Sequence, residues 1–229
     1  MNRSEGISVI CTVDVVLLTL HGGQLCVVLL KRERPPFQGA LALPGGYIHP
    51  EQDQDAVDAA ARVLLDKTGL ASPYLEQLAT FSGPGRDPRG WSVSIAYYAL
   101  VPQELLRRDT TAAQVLPVEG LPVLPFDHGR MVAAAVARVR SKSQYSSLPV
   151  HLCPERFTLP QLQAVYEAVL GEPINKVSFR RKVEELDVLE PLPGELEQGR
   201  ANRPAQLYRL RPQYRRSLSL LERGIGARS

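Results

Sequence analysis

LPGGYIHPEQDQDAVDAAARVLLDKTGL, residues 43–70, is the stretch on which the reading of the fold turns. A Gly-Gly pair at 45–46 leads through an acidic loop into an amphipathic helix that closes on Thr68-Gly69-Leu70. The helix is predicted over residues 56–67, with Asp55 as its N-cap and Asp58 facing the dipole in the first turn. Val57, Ala60, Ala61, Leu64 and Leu65 supply its apolar side. Asp58/Arg62 and Arg62/Asp66, both i,i+4, brace the exposed side. Gly45 and Gly46 allow backbone N–H groups to come close to an anion, because glycine tolerates tight geometry.

This outline resembles the Nudix box: Gly, five residues, Glu, seven residues, then Arg-Glu-apolar-any-Glu-Glu-any-Gly-apolar. Aligned on Gly69, the family arginine falls on Arg62, and the three glutamates after it fall on Val63, Asp66 and Lys67. The loop between Gly46 and Arg62 is two residues longer than the standard box. In active members of that family, glutamates one helical turn apart hold Mg²⁺ against a diphosphate. Valine has no lone pair to give, and an ammonium repels a cation in a poorly hydrated cleft. The expectation is therefore no metal and no catalytic residue. Lys67 either meets a ligand's diphosphate directly as a point charge or is a solvated helix residue.

Length and composition agree with a soluble globular chain. Its 229 residues suit two domains, and 44% apolar with 22% charged residues is ordinary. Cys11, Cys26 and Cys153 make no CxxC spacing and read as reduced, buried thiols of a cytoplasmic protein. The four histidines are scattered, without a zinc-ligand cluster. The apolar runs at 7–20 and 25–30 are too short and interrupted to span a bilayer. Residues 1–154 carry 14 basic and 14 acidic side chains, whereas residues 155–229 carry 13 and 10. The whole +3 excess thus sits in the last third, clustered at Arg180-Arg181-Lys182, Arg200, Arg203, Arg209, Arg211, Arg215 and Arg216. Nucleic-acid binding begins with such a footprint.

Strands are predicted at 7–20 and 25–31, with His21-Gly22-Gly23 as the turn, and at about 74–82, 91–101 and 112–117. A helix capped by Asp127 runs to about Ser141. Strands mixed with two helices make an α/β (α+β) sandwich over residues 1–145. Residues 146–154 read as a linker between packed domains, and residues 155–229 as a second domain. There, Thr158 to Gln161 is a capping box with proline in the first turn. Leu162, Val165, Tyr166 and Val169 form one stripe, and Gly171 ends the helix. A second helix over about 176–186 buries Phe179, Val183 and Leu186. Strands at 188–192 and 206–211 then form a hairpin. Helix, tight turn, basic helix and hairpin make a winged helix-turn-helix. The tail from Ser217 is expected to be poorly ordered at its end.

A Nudix-like domain carrying LPGG and FDH, followed by FTLPQLQAVYEAVLG, SFRRKV and RPAQLYRL, resembles the NrtR family of Nudix-related bacterial transcriptional regulators. The resemblance covers nearly the whole chain. It implies a homodimer whose winged helices bind a palindromic double-stranded operator and repress genes of NAD metabolism. It further implies that the Nudix-like domain senses ADP-ribose or a related nucleotide; no required cofactor and no membrane partner are expected.

On the DNA side, Ser178, Arg181 and Lys182 are placed toward the groove, beside Arg180, with Asn175 and Lys176 at its approach. Arg181 is the preferred base reader, because arginine can bond guanine O6 and N7 together. Arg203 is the wing's contact. A solvated helix face paired with Glu184 and Glu185 is the alternative for Arg180–Lys182. On the ligand side, Arg32, Arg34, Gly45, Gly46, Lys67, Arg86 and Arg89 are expected to face the cleft, with Tyr47 or Phe37 available to stack on a base. Arg62 is read as bracing Asp58 or Asp66.

Two rivals stand beside this reading. One is an active Nudix hydrolase of ADP-ribose pyrophosphatase type, with a dimerising C-terminal domain and a Mg²⁺ site built from Glu51, Asp53, Asp55, Asp58 and Asp66. The other is a pure interaction protein.

Overall fold

The computed structural model describes residues 9–72, 74–106, 113–197, 204–221 and 225. The first strand, β1 (Ile10–His21), is buried on both faces through Val13–Thr19, in keeping with an apolar run that only Asp14 interrupts before Thr19. Gly22 and Gly23, at φ of 58° and 77°, turn it into β2 (Gln24–Lys31), with His21 opposite Gln24. Two consecutive left-handed residues match the twist of a two-residue hairpin. Next come β3 (Leu41–Ala42), β4 (Gly45–Tyr47), helix α1 (Ala56–Thr68), β5 (Leu75–Gly83), β6 (Ser92–Leu100), β7 (Ala113–Pro117) and helix α2 (His128–Ser143). The strands form one mixed sheet in the order β3-β2-β1-β6-β5, with β4 on β1 and β7 on β2. β1 and β6 run parallel, and the other pairs are antiparallel.

Alternation along β1 divides the core in two. Val13, Val15 and Leu17 pack with Ala59, Ala60, Val63 and Leu64 of α1. Val16 and Leu18 pack with Met131, Val132, Ala135, Val136 and Val139 of α2. A helix therefore covers each face of the sheet.

The buried stripe of α1 differs from the predicted one. Ala59, Ala60, Val63 and Leu64 are inside, whereas Val57, Ala61 and Leu65 are exposed. The cause lies in β4, where a β-carbon on Gly46 would stand 3.0 Å from Val63 Cγ2. That close approach turns the Val63 side of the helix inward. Asp55 caps α1 as expected, accepting from the N–H groups of Val57 and Asp58 at 2.8 and 2.9 Å. Gly69 closes it at φ 69°. Asp127 stands at the N-cap position of α2, but its side chain makes no cap.

The predicted linker is packed. Residues 146–153 are all buried, with a short 3-10 helix over Leu148–Leu152. Leu148, Leu152 and Val169 join the α2 side of the first core. The C-terminal part contains β8 (Phe157–Thr158), α3 (Leu159–Leu170), α4 (Lys176–Leu186), β9 (Leu189–Glu197) and β10 (Ala205–Leu210). Thr158 and Gln161 close a reciprocal capping box, and Gly171 ends α3 at φ 77°. Phe157, Leu162, Tyr166, Phe179, Val183 and Leu186 form the core of this half.

β9 continues past the predicted end at residue 192 despite Pro191 and Pro193. It is an edge strand in the order β8-β10-β9, where missing N–H groups are tolerated. Part of the tail is also held, while residues 222–224 and 226–229, on which the expectation about its end falls, lie outside the described residues. Ser146 bridges to Leu220, and Leu221 and Ile225 are buried in the second core. Of the cysteines, Cys26 and Cys153 are buried, but Cys11 is exposed. Among the described residues, no helix is long and apolar enough to cross a membrane.

Candidate functional site

A cleft of about 720 Å³ opens where the end of β2, the β3–β4 segment, the C-terminal half of α1 and the loop after β5 converge. Arg32, Arg34, Gly45, Gly46, Lys67, Arg86 and Arg89 all line it. The seven expected ligand residues thus come together from four separate stretches of chain.

They are not equivalent. Arg32 donates from Nε to the Pro36 carbonyl at 2.8 Å, and its guanidinium lies 4.9 Å from the Phe126 ring centroid. Burial, and then the charge of Arg89, lower its pKa. Phe126 meets Phe37 edge-on at 5.0 Å. Arg89 is held by Asp87 at 2.7 and 3.0 Å and donates to the Tyr47 hydroxyl at 2.6 Å. Burial pushes the Asp87 carboxyl up, but the hydrogen bonds from Arg89 outweigh it and hold it below the ordinary range. Arg34 and Lys67 are exposed, so their charges remain open to an incoming anion.

Arg86 is a different case. It is 9% exposed, and it donates to Asp127 at 2.9 Å and to Ser92 Oγ at 3.1 Å. Asp14 lies 3.9 Å away. Its charge is largely met by the carboxylates of Asp127 and Asp14, so it forms the floor of the cleft instead of presenting a free cation. This also explains why Asp127 does not cap α2.

Asp14 is the centre that sequence reading missed. Its Oδ2 accepts from Ser94 Oγ at 2.6 Å, and its Oδ1 lies 3.4 Å from His128 Nε2. The Leu43 N–H donates to His128 Nδ1 at 3.0 Å, which leaves the Nε2 proton directed at Asp14. A lone carboxylate inside an apolar strand was the available signal. Gly45 is glycine for the same reason: a β-carbon there would fall 2.0 Å from Asp14 Oδ1. Both glycines are paired with β1, so close side-chain approach explains them more directly than a phosphate turn.

Arg62 also differs from expectation. It forms a two-pronged bond to Asp53 at 2.7 and 2.8 Å and donates to the Tyr47 carbonyl at 3.0 Å, while Asp66 is 3.8 Å away and Asp58 is not a partner. The bond from Arg62 holds the Asp53 carboxyl down at about 2.

This arrangement bears on a Mg²⁺ ion of the kind the Nudix fold implies. Asp53 is taken by Arg62 and by the His49 N–H at 2.7 Å, Asp55 by its cap, and Asp58 by the Gln54 N–H at 3.3 Å. Val63 is 2% exposed. Among the described residues, no group of three or more His, Cys, Asp or Glu side chains could hold a metal ion. At the two positions where the family carries glutamates, Val63 and Lys67 offer the ion no oxygen ligand, while Glu51 and Asp66 remain exposed.

The second surface is α4. Asn175 caps it, accepting from the N–H groups of Val177 and Ser178 at 3.0 and 3.1 Å. Its carbonyl oxygen is therefore committed to the helix. Lys176, Arg180 and Arg181 are exposed and Ser178 is half-buried. Lys182, expected toward the groove, is 7% exposed and lies on the stripe of Phe179, Val183 and Leu186, and burial and the charge of Arg181 lower its pKa. Its side chain serves the packing of α4. Arg203 lies outside the described residues. Arg209 and Arg211 are paired with Glu190 and Asp187 at 3.0 and 2.6 Å.

Comparison with known proteins matches both halves of the chain. Residues 11–135 match the NUDIX domain model, and residues 149–210 match the NrtR DNA-binding winged helix domain model. The ADPR responsive transcriptional repressor NtrR of Acinetobacter baylyi is 40% identical over 214 residues, 90% of this chain and 84% of that protein. The crystal structure of Shewanella oneidensis NrtR complexed with a 27mer DNA matches with a TM-score of 0.86 at 39% identity, covering 94% of this chain and 99% of that one. The NUDIX domain of the same protein, complexed with ADP ribose, matches with a TM-score of 0.53 at 35% identity, covering 60% and 93%. An ADP-ribose pyrophosphatase of Methanocaldococcus jannaschii is 34% identical over a shorter span, 46% of this chain and 63% of that protein. With both domain models matched in order and the likeness sustained over nearly its full length, this chain belongs to the NrtR family.

Proposed function

We propose that this protein is a cytoplasmic transcriptional repressor that binds a palindromic operator as a homodimer and releases it when ADP-ribose, or a closely related nucleotide, occupies the cleft. NAD-biosynthesis genes are the targets that the family resemblance implies. Arg34 and Lys67 supply open charge for a diphosphate, and Arg32 and Arg89 line the walls with Phe126 and Tyr47. The nucleotide is held and not cleaved, because Val63 and Lys67 stand where paired carboxylates would hold a metal.

One observation supports a link between the cleft and the winged helix: α2 touches the base of the first and helix α3 of the second. Its first residues, with Asp127 and His128, belong to the Asp14–Arg86 network under the cleft. Toward its other end, Arg140 donates from Nε to the Val169 carbonyl of α3 at 3.2 Å. A ligand that favours one seating of the start of α2 therefore favours one seating of the winged helix, and the coupling is reciprocal.

Gel shifts on the selected operator, with calorimetry on the same sample, test the proposal. ADP-ribose is expected to bind the free protein and to dissociate the operator complex. If saturating ADP-ribose neither binds nor shifts the complex, the effector is wrong. Release of AMP and ribose 5-phosphate on incubation with Mg²⁺ or Mn²⁺ would instead establish the hydrolase reading, which the pyrophosphatase relative represents.

A further inference from the structure

Val177 is 78% exposed at the second position of α4. The helix packs through Phe179, Lys182, Val183 and Leu186, so the fold makes no use of this side chain. A single exposed valine needs no explanation on most surfaces. Its surroundings give this one meaning. Lys176 precedes it, and Arg180 and Arg181 follow at i+3 and i+4, on the same helical face. All three cations are exposed.

Cations on such a face grip phosphates without regard to sequence, and Arg181 can read a guanine. Neither contact uses a pair of stiff methyl groups. In the major groove the C5-methyl of thymine is the one apolar mark among hydrogen-bonding edges. Valine is well matched to it. A β-branched side chain in a helix keeps one dominant χ1 rotamer, so its methyl groups are already aimed. The N–H groups of Val177 and Ser178 are engaged by Asn175, so the first turn of α4 faces outward through its side chains.

Resting on the reading of α4 as the recognition helix, we propose that Val177 selects a thymine in each operator half-site by contact with its C5-methyl. Four residues of helix rise about 6 Å, and stacked bases are about 3.4 Å apart. The thymine therefore lies within about two base pairs of the base that Arg181 reads.

The test uses the full-length protein and an operator obtained by selecting bound fragments from random DNA. Each thymine is replaced singly by deoxyuridine, which removes the methyl group and nothing else. The wild type is expected to lose about fourfold in affinity at one thymine per half-site, the worth of one buried methyl-sized group. Val177→Ala is expected to be indifferent to that replacement while keeping the salt dependence of the wild type. If no replacement affects the wild type, or Val177→Ala keeps the same sensitivity, Val177 does not read thymine although the protein binds DNA. Failure to select any fragment overturns the repressor reading and this inference with it.

Discussion

Gly45 lies against Asp14 so closely that a β-carbon on the glycine would fall 2.0 Å from the carboxylate oxygen. Asp14 cannot retreat, because Ser94 and His128 hold its two oxygens on a strand buried on both faces. Gly45→Ala is expected to lower stability by about 2–3 kcal/mol, the cost of overpacking a tight site. Gly129→Ala, in a helix with open space around it, should raise stability by up to about 1 kcal/mol. Chemical denaturation of the two variants measures both, and equal midpoints would show that β4 can move away from Asp14.

The Asp53–Arg62 pair makes stability fall in acid. The bond from Arg62 holds Asp53 at about 2, below its unfolded value of about 3.9. Its contribution is complete above about 3.9 and is lost as pH falls through about 2. The stability gap between wild type and Asp53→Asn should therefore be constant at neutral pH and close over that window. A gap that persists at the acid end would mean that the carboxylate charge is not what stabilises the loop.

His151 acts in the same direction at higher pH. It is 7% exposed, stacked on Tyr74 at 4.8 Å, and its Nε2 has no hydrogen-bond partner among the described residues. Burial pushes its imidazole down to about 4. Between its unfolded value of about 6.5 and that value the unfolded chain binds more protons, so stability falls with pH by about 3 kcal/mol in total. His151→Phe keeps a ring against Tyr74 and should flatten that slope. An unchanged slope would assign the effect to another group.

On α4, Arg181→Ala is expected to weaken operator binding by about 1–3 kcal/mol and to relax the preference at one base pair. Lys182→Met preserves the buried stem and should leave the salt slope of binding unchanged. A slope reduced by about one in Lys182→Met would mean that its ammonium meets a phosphate after all.

In the cleft, Lys67→Glu is expected to weaken ADP-ribose binding about tenfold by replacing an attractive charge with a repulsive one. Operator affinity without nucleotide should not change, since Lys67 is exposed and remote in sequence from the winged helix. Undiminished ADP-ribose affinity in this variant would make Lys67 only a solvated helix residue.

What could be read ahead of the structure was what neighbouring residues decide among themselves. The caps at Asp55, Thr158 and Gly171 were legible because each involves groups within a few residues. So were the stripe of α3 and the Gly22-Gly23 hairpin, because a helical or two-residue period shows itself in a short window. The resemblance to a known family supplied the order of the two domains, and the seven cleft residues do converge. Misreadings arose where distant strands meet. Arg62 bonds Asp53 because the lengthened loop folds back through a turn at His49, which helix spacing cannot foresee.

The sequence alone therefore determined most of the helices and strands, the caps at Asp55, Thr158 and Gly171, and the absence of glutamates at positions 63 and 67 of the box helix. All of these follow from local chemistry. Only the tertiary structure decided that Val63 and Lys182 turn inward, that Arg86 is occupied by Asp127 and Asp14, and that α2 joins the cleft to the winged helix. A helix has several apolar-compatible orientations, and a cation several candidate partners. Packing against remote strands selects among them, because only there is the burial of a charge or a methyl group compensated.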